Sequence, residues 1–173
     1  MAVQGVGDKR PWIAESSFVS ESASVVGDVW IGEHSAVFPG AVIRGDLGPI
    51  KIGDHALIED NVTVHCDCDG LDIGNEVTVG HGAVVNCRRI GDGVLIGMNA
   101  TILQGADLED GCIVAAGAVV SEGTKVPEGS FVAGVPAKVA GRAADTGWQW
   151  KEWDPELRTW WWGILEQYKS DRL

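Results

Sequence analysis

The sequence predicts an all-β solenoid that ends in a C-terminal α-helix. Three observations carry the prediction: a six-residue aliphatic rhythm, a density of Gly and β-branched residues that no helix tolerates, and a late change to helical spacing. Six is an even number, so the rhythm suits a strand period of two and not a helix of about 3.6. A sandwich of ordinary strands would not hold one register for so long.

The rhythm starts at Ile13 and runs unbroken through Val19, Val25, Ile31, Val37 and Ile43. It gains three residues, resumes at Ile52, Ile58 and Val64, gains three more, and resumes at Ile73, Val79 and Val85. It then loses one residue before Ile90, Ile96, Ile102, Leu108, Val114, Val120 and Val126. Gly often follows the aliphatic, as at Gly32, Gly53, Gly74, Gly80, Gly91 and Gly97, and a small or β-branched residue commonly lies four places on, as at Ser35, Ala41, Ala56 and Val62. The physical solution is a coil of short flat strands with a tight corner every six residues. Three sides make a turn of about eighteen residues, with each turn paired to those above and below.

Gly134, Pro136 and Gly141 mark the exit from the coil, so residues 1–135 form the solenoid and 136–173 a linker and helix. Six of the eight tryptophans crowd into 148–162. Asp154, Pro155 and Glu156 read as an N-cap, a proline at the first helical position and an acidic first turn. Leu157, Trp160, Trp161, Ile164, Leu165 and Tyr168 then fall on one apolar stripe, to be buried on the flank of the coil or on a neighbouring subunit. Trp148, Trp150, Trp153 and Trp162 exceed what one stripe needs; they could line a hydrophobic cleft but better suit packing at a subunit contact.

A net charge of −12 leaves no basic stripe for phosphates, which argues against a nucleic-acid partner. The N-terminus has no apolar leader, and no apolar run is long enough for a membrane span, so a cytoplasmic protein is expected. The four cysteines make no disulfide framework and are expected reduced. No phosphate-loop motif is present, and His34 and His55, which occupy variable positions early in their repeats, read as solvated.

The register alone assigns side chains to columns. His65 and Asn86 directly follow Val64 and Val85, three repeats apart, so they stack on one outward column about 4.8 Å apart. Arg44 lies one coil further back in that column, Asp60 and His81 share a second column nearer a corner, and Cys66 and Cys87 share another phase. Five residue steps separate His81 from Asn86, about 16 Å of extended chain. Ligands to one ion meet at about 2 Å. The two residues would therefore have to converge from two chains, and Arg44 and Asp60 could pair across the same junction.

The segments AVFPGAVIRGDLGPIKIGD, ALIEDNVTVH, GNEVTVGHGAVV, IGDGVLIGMNATIL, AAGAVV and VAGVPAKV, spread over residues 11 to about 140, together resemble the γ-class carbonic anhydrases and their relatives. The resemblance implies a left-handed parallel β-helix, a homotrimer and a metal site at each subunit junction. It makes His65 one ligand and His81 the ligand from the adjacent chain, with Arg44, Asp46 and Asp60 in the flanking polar pairs. The family pattern would put histidine at position 86, where this chain has Asn86, and Glu59 stands where the family has a site glutamine.

Three imidazoles hold zinc and leave a fourth place for an acidified water, whereas an amide oxygen is a weaker ligand suited to harder ions. Glu59 could complete the shell or act as general base. Cys66 or Cys87 could ligate as thiolate, or be surface or corner thiols packed on the neighbour. The expected function is a metal-dependent hydratase or hydrolase of CO2, a thioester or another small carbonyl substrate, using zinc or another divalent ion. The alternatives are a catalytically silent assembly subunit and, less suited to the short insertions, an acyl-CoA transferase.

Overall fold

The computed structural model describes residues 2–147, 163–168 and 170. Its body is a parallel β-solenoid, the left-handed β-helix of hexapeptide repeats. The sheet built on Val19, Val37, Ile58, Val79, Ile96, Val114 and Val132 has eight strands, the last antiparallel, which leaves seven stacked coils. The chain passes in turn over face A (the Ile13, Ile31, Ile52 column), face B (Val19, Val37, Ile58) and face C (Val25, Ile43, Val64). The repeating aliphatics of all three faces fill one continuous interior.

The rhythm's irregularities all fall at one corner, where face C turns into face A. Ile43 pairs with Val64 while Ile52 pairs with Ile73, so the two three-residue gains lie one above the other. The one-residue loss sits directly on top of them, because Val64 pairs with Val85 and Ile73 with Ile90. In the first gain the backbone remains extended round the corner as a single strand, Val42–Ile52. Its ladder to Ser24–Ile31 is interrupted between Gly27 and Val29, where the added residues leave the pairing.

Two kinds of glycine serve the corners. The third residue after an inward aliphatic often turns with positive φ, as at Gly82 (φ 69°), and His34, His55, Asn61 and Asn99 adopt the same turn. Gly53, directly after Ile52, answers a different demand: a Cβ there would lie 2.6 Å from Asn75 Oδ1. That side chain accepts the backbone N–H of Asp54 at 2.9 Å, and Asp54 does the same for Glu33 at 2.7 Å. The recurrent Gly-Asp and Gly-Asn pairs are thus a column of side-chain caps on the coil below.

The coil is closed by an antiparallel hairpin, Ser130–Gly134 with Ala137–Arg142. Residues 163–168 are helical, and Leu165 is buried against Phe18, Ala36, Phe38 and Leu57 on the outside of face B. Tyr168 packs there too, its ring 5.4 Å from that of Phe18. These two residues of the stripe therefore dock on the chain's own coil. Leu157, Trp160 and Trp161, the Asp154–Pro155–Glu156 start and Trp148, Trp150, Trp153 and Trp162 lie outside the described residues. Among the described residues no helix is long and apolar enough to cross a membrane.

Candidate functional site

Face C and its two corners gather the polar residues singled out above. Arg44 pairs in register with His65, and Val64 with Val85, so Arg44, His65 and Asn86 rise along one column at the C-to-A corner. Asp60 and His81 occupy consecutive coils at the opposite corner, where face B turns into face C, because Ile58 pairs with Val79. Face C therefore separates His81 from Asn86 within one chain. Among the described residues, no three His, Cys, Asp or Glu side chains converge as a metal-binding group.

At the first corner Asp46 is the hub. One of its carboxylate oxygens faces His65 Nε2 at 3.1 Å and also accepts the backbone N–H of Leu47 at 3.0 Å. The other accepts from the Arg44 guanidinium. Desolvation pushes the Asp46 carboxyl up, but the hydrogen bonds from Arg44 and His65 and the Arg44 charge outweigh it, and the group lies below its ordinary value. Within the chain Arg44 thus pairs with Asp46. Asn86, one coil above His65, has a buried amide oxygen with no hydrogen-bond partner among the described residues.

At the second corner His81 stands between two carboxylates. Its Nδ1 lies 2.9 Å from Asp60 and its Nε2 3.3 Å from Glu59. Glu59 also accepts the His81 backbone N–H at 3.0 Å, which ties both ends of the residue to the coil below. Each histidine of the candidate site therefore has at least one ring nitrogen against a carboxylate, the arrangement that fixes the tautomer of a metal-ligating imidazole.

The cysteines correct one expectation. Cys66 and Cys87 are not surface thiols packed on a neighbour; both are buried in the solenoid interior. Strand alternation continues through the corner, so the residue two places after an inward valine points inward again. Burial pushes the Cys87 thiol up to about 12 and raises Cys66 as well, which keeps both protonated and unsuited to ligation at neutral pH. Cys66 donates its one S–H instead to the carbonyl of Gly48 at 3.3 Å, with that of Pro49 at 3.8 Å as the alternative acceptor, holding the lower excursion. A disulfide reagent applied to the folded protein should titrate Cys68, the exposed cysteine, and reach Cys66, Cys87 and Cys112 only in denaturant.

A second correction concerns His34 and His55. They occupy equivalent corner positions in successive coils, not variable ones, and their rings stack with centroids 5.1 Å apart. The corner's tolerance for a left-handed residue placed them there, and they are remote in register from His65 and His81.

Comparison with known proteins gives this geometry a family. A hexapeptide-repeat profile of succinyl-transferases matches residues 49–87 and 89–122. A probable carbonic anhydrase of Methanocaldococcus jannaschii is 46% identical over 128 residues, which are 73% of this chain and 80% of that protein. The chain belongs to the γ-class carbonic anhydrase family of hexapeptide-repeat proteins. The match to the mitochondrial γ carbonic anhydrase 1 of Arabidopsis thaliana is local, 44% identity over 48 residues, 28% of this γ-class chain and 18% of the plant protein. Several curated relatives are thus matched over less than a fifth of their length. Among solved structures, one described as a putative acetyltransferase of Bacillus cereus aligns with this γ-class chain at a TM-score of 0.87 and 35% identity, covering 98% of this chain and 97% of that one.

Proposed function

We propose that this γ-class chain is a metal-dependent hydratase or hydrolase of small carbonyl substrates, CO2 first among them, with its site at the junction of two chains of a homotrimer. The single observation that carries the reading is the buried, unpartnered amide oxygen of Asn86 one coil above His65. An orphaned buried acceptor costs about 1–3 kcal/mol, so it calls for a cation or donor that the described residues do not supply. Exposed Val42, Val84 and Leu103 on face C and its edge favour burial of that face against another copy, which would bring a second chain's His81 corner toward His65 and Asn86.

The residues present fit a divalent ion: two imidazoles backed by carboxylates and one free amide oxygen. Such an ion would supply Lewis acidity toward a carbonyl and acidify a water toward neutral pH. Asp46 and Asp60 hold the histidine rings. Glu59, already beside His81 Nε2, is placed to take a proton as general base, and the Arg44–Asp46 pair fixes the polar wall of the same corner. Zinc is the ion expected first, with a weaker hold than three histidines would give.

Glu59→Gln should lower the turnover number for CO2 hydration about a hundredfold while zinc affinity stays within about twofold, because the proton acceptor is lost while the amide oxygen can still accept the His81 backbone N–H and Asp60 still holds the ring at Nδ1. Stopped-flow hydration assays beside a zinc titration check this. A parent that binds zinc yet hydrolyses thioesters and leaves CO2 untouched would move the substrate; a parent inert toward both would favour the silent assembly subunit. The acetyltransferase label of the Bacillus cereus neighbour suggests acyl transfer as the competing chemistry. Here the two insertions are compact and packed on each other, and the described residues include no long arm to carry a catalytic base.

A further inference from the structure

We propose that Lys9 is a positioning residue for the junctional site, holding the Asp46 carboxylate against His65 from the N-terminal arm; the proposal rests on the reading of that site given above. The arm runs as Ala2–Gln4 beside face C, pairing in parallel with residues 24–26. It then reverses through Gly7 (φ 63°), where Val6 and Lys9 exchange two backbone hydrogen bonds of 3.1 Å. The reversal brings the Lys9 ammonium over the excursion that carries Asp46.

The excursion needs such a support. Its residues leave the ladder between the Gly27–Gly45 and Val29–Ile50 pairs, so the carbonyls of residues 46–49 lose their regular partners. Two side chains supply the donors. Lys9 Nζ donates to the carbonyls of Asp46 at 2.7 Å and Leu47 at 3.1 Å, and the Cys66 thiol serves Gly48 or, alternatively, Pro49. An ammonium has three donors and suits two neighbouring carbonyls at once. The backbone oxygens of Asp46 and Leu47 are therefore fixed by a residue 37 and 38 positions away in sequence, and the Asp46 side chain that meets His65 Nε2 projects from that fixed segment. Lys9 touches neither substrate nor reacting atoms; it acts through Asp46.

The test compares the full-length parent with Lys9→Met, which keeps the stem and removes the donors, and Lys9→Arg, which restores donors. Circular dichroism first confirms the solenoid, whose interior Lys9 does not enter. The metal-free proteins are then read by nitrogen NMR of the His65 ring. The parent and Lys9→Arg should show the Nε2–H tautomer held by Asp46, and Lys9→Met a mixture of tautomers. Zinc affinity, from competition with a chromophoric chelator, should fall about tenfold in Lys9→Met and stay within about twofold in Lys9→Arg. A parent that binds no zinc, together with the tautomer change in Lys9→Met, supports Lys9 while overturning the metal reading. An unchanged His65 tautomer in a folded Lys9→Met protein overturns the role of Lys9 whatever the zinc result. Should Lys9→Met fail to fold, Lys9→Leu, which likewise carries no donor, is read by the same tautomer and zinc measurements, and an unchanged tautomer there overturns the role equally.

Discussion

Asn86→His should tighten zinc binding at least about a hundredfold, measured by competition with a chromophoric chelator. The argument is local. Residues 65 and 86 follow the paired valines Val64 and Val85, so a histidine at 86 would stand one strand spacing from His65 on the same outward column. The substitution replaces a weak amide oxygen with an imidazole nitrogen and also removes the orphaned acceptor, so no stability loss is expected from the exchange. CO2 hydration should rise with zinc occupancy. Unchanged zinc affinity in a folded variant would mean that position 86 does not face the ion, and the site would have to be sought elsewhere along face C.

Gly48→Ala should be among the most damaging small substitutions at the described residues, destabilising the protein by about 3 kcal/mol in denaturant titration and abolishing metal binding. Gly48 lies where the two excursions stack. A Cβ there would meet Asp67 O at 2.2 Å and Gly70 N at 2.8 Å, both backbone atoms that cannot swing away. Separating the excursions would also draw Gly48 O and Pro49 O from the Cys66 thiol, and with them the segment that carries Asp46. Gly93→Ala is the control. Its φ of 63° makes an alanine strained, but nothing lies within 4 Å of the added methyl. About 1 kcal/mol is expected there, with metal binding intact.

Much of this could be read from the chain because a parallel solenoid repeats one environment per coil. Once Val64 and Val85 are recognised as equivalent, the pairing of Arg44 with His65 and the placing of Asn86 above them follow from counting. The corners were harder. At the B-to-C corner the second residue after the inward aliphatic turns outward, as Asp60 and His81 do, whereas at the C-to-A corner Cys66 and Cys87 continue the strand alternation and turn inward. The inward glycines of the RGDLGP segment carried the missing signal, since Gly45 and Gly48 alternate with exposed neighbours along Val42–Ile52. Lys9 could not have been found by counting, because its partners are backbone carbonyls released by an irregularity in the ladder. The register does hold the corner pair His34 and His55, and it is visible once the third place after each aliphatic is compared across coils.

The central claim, a metal ion shared between chains, is tested most directly by native mass spectrometry of the untagged protein after incubation with zinc and removal of the excess. The account predicts a species of three chains carrying about three ions, with His81→Ala retaining the three chains and losing the ions. Three chains without metal, or zinc bound by isolated single chains, would contradict it.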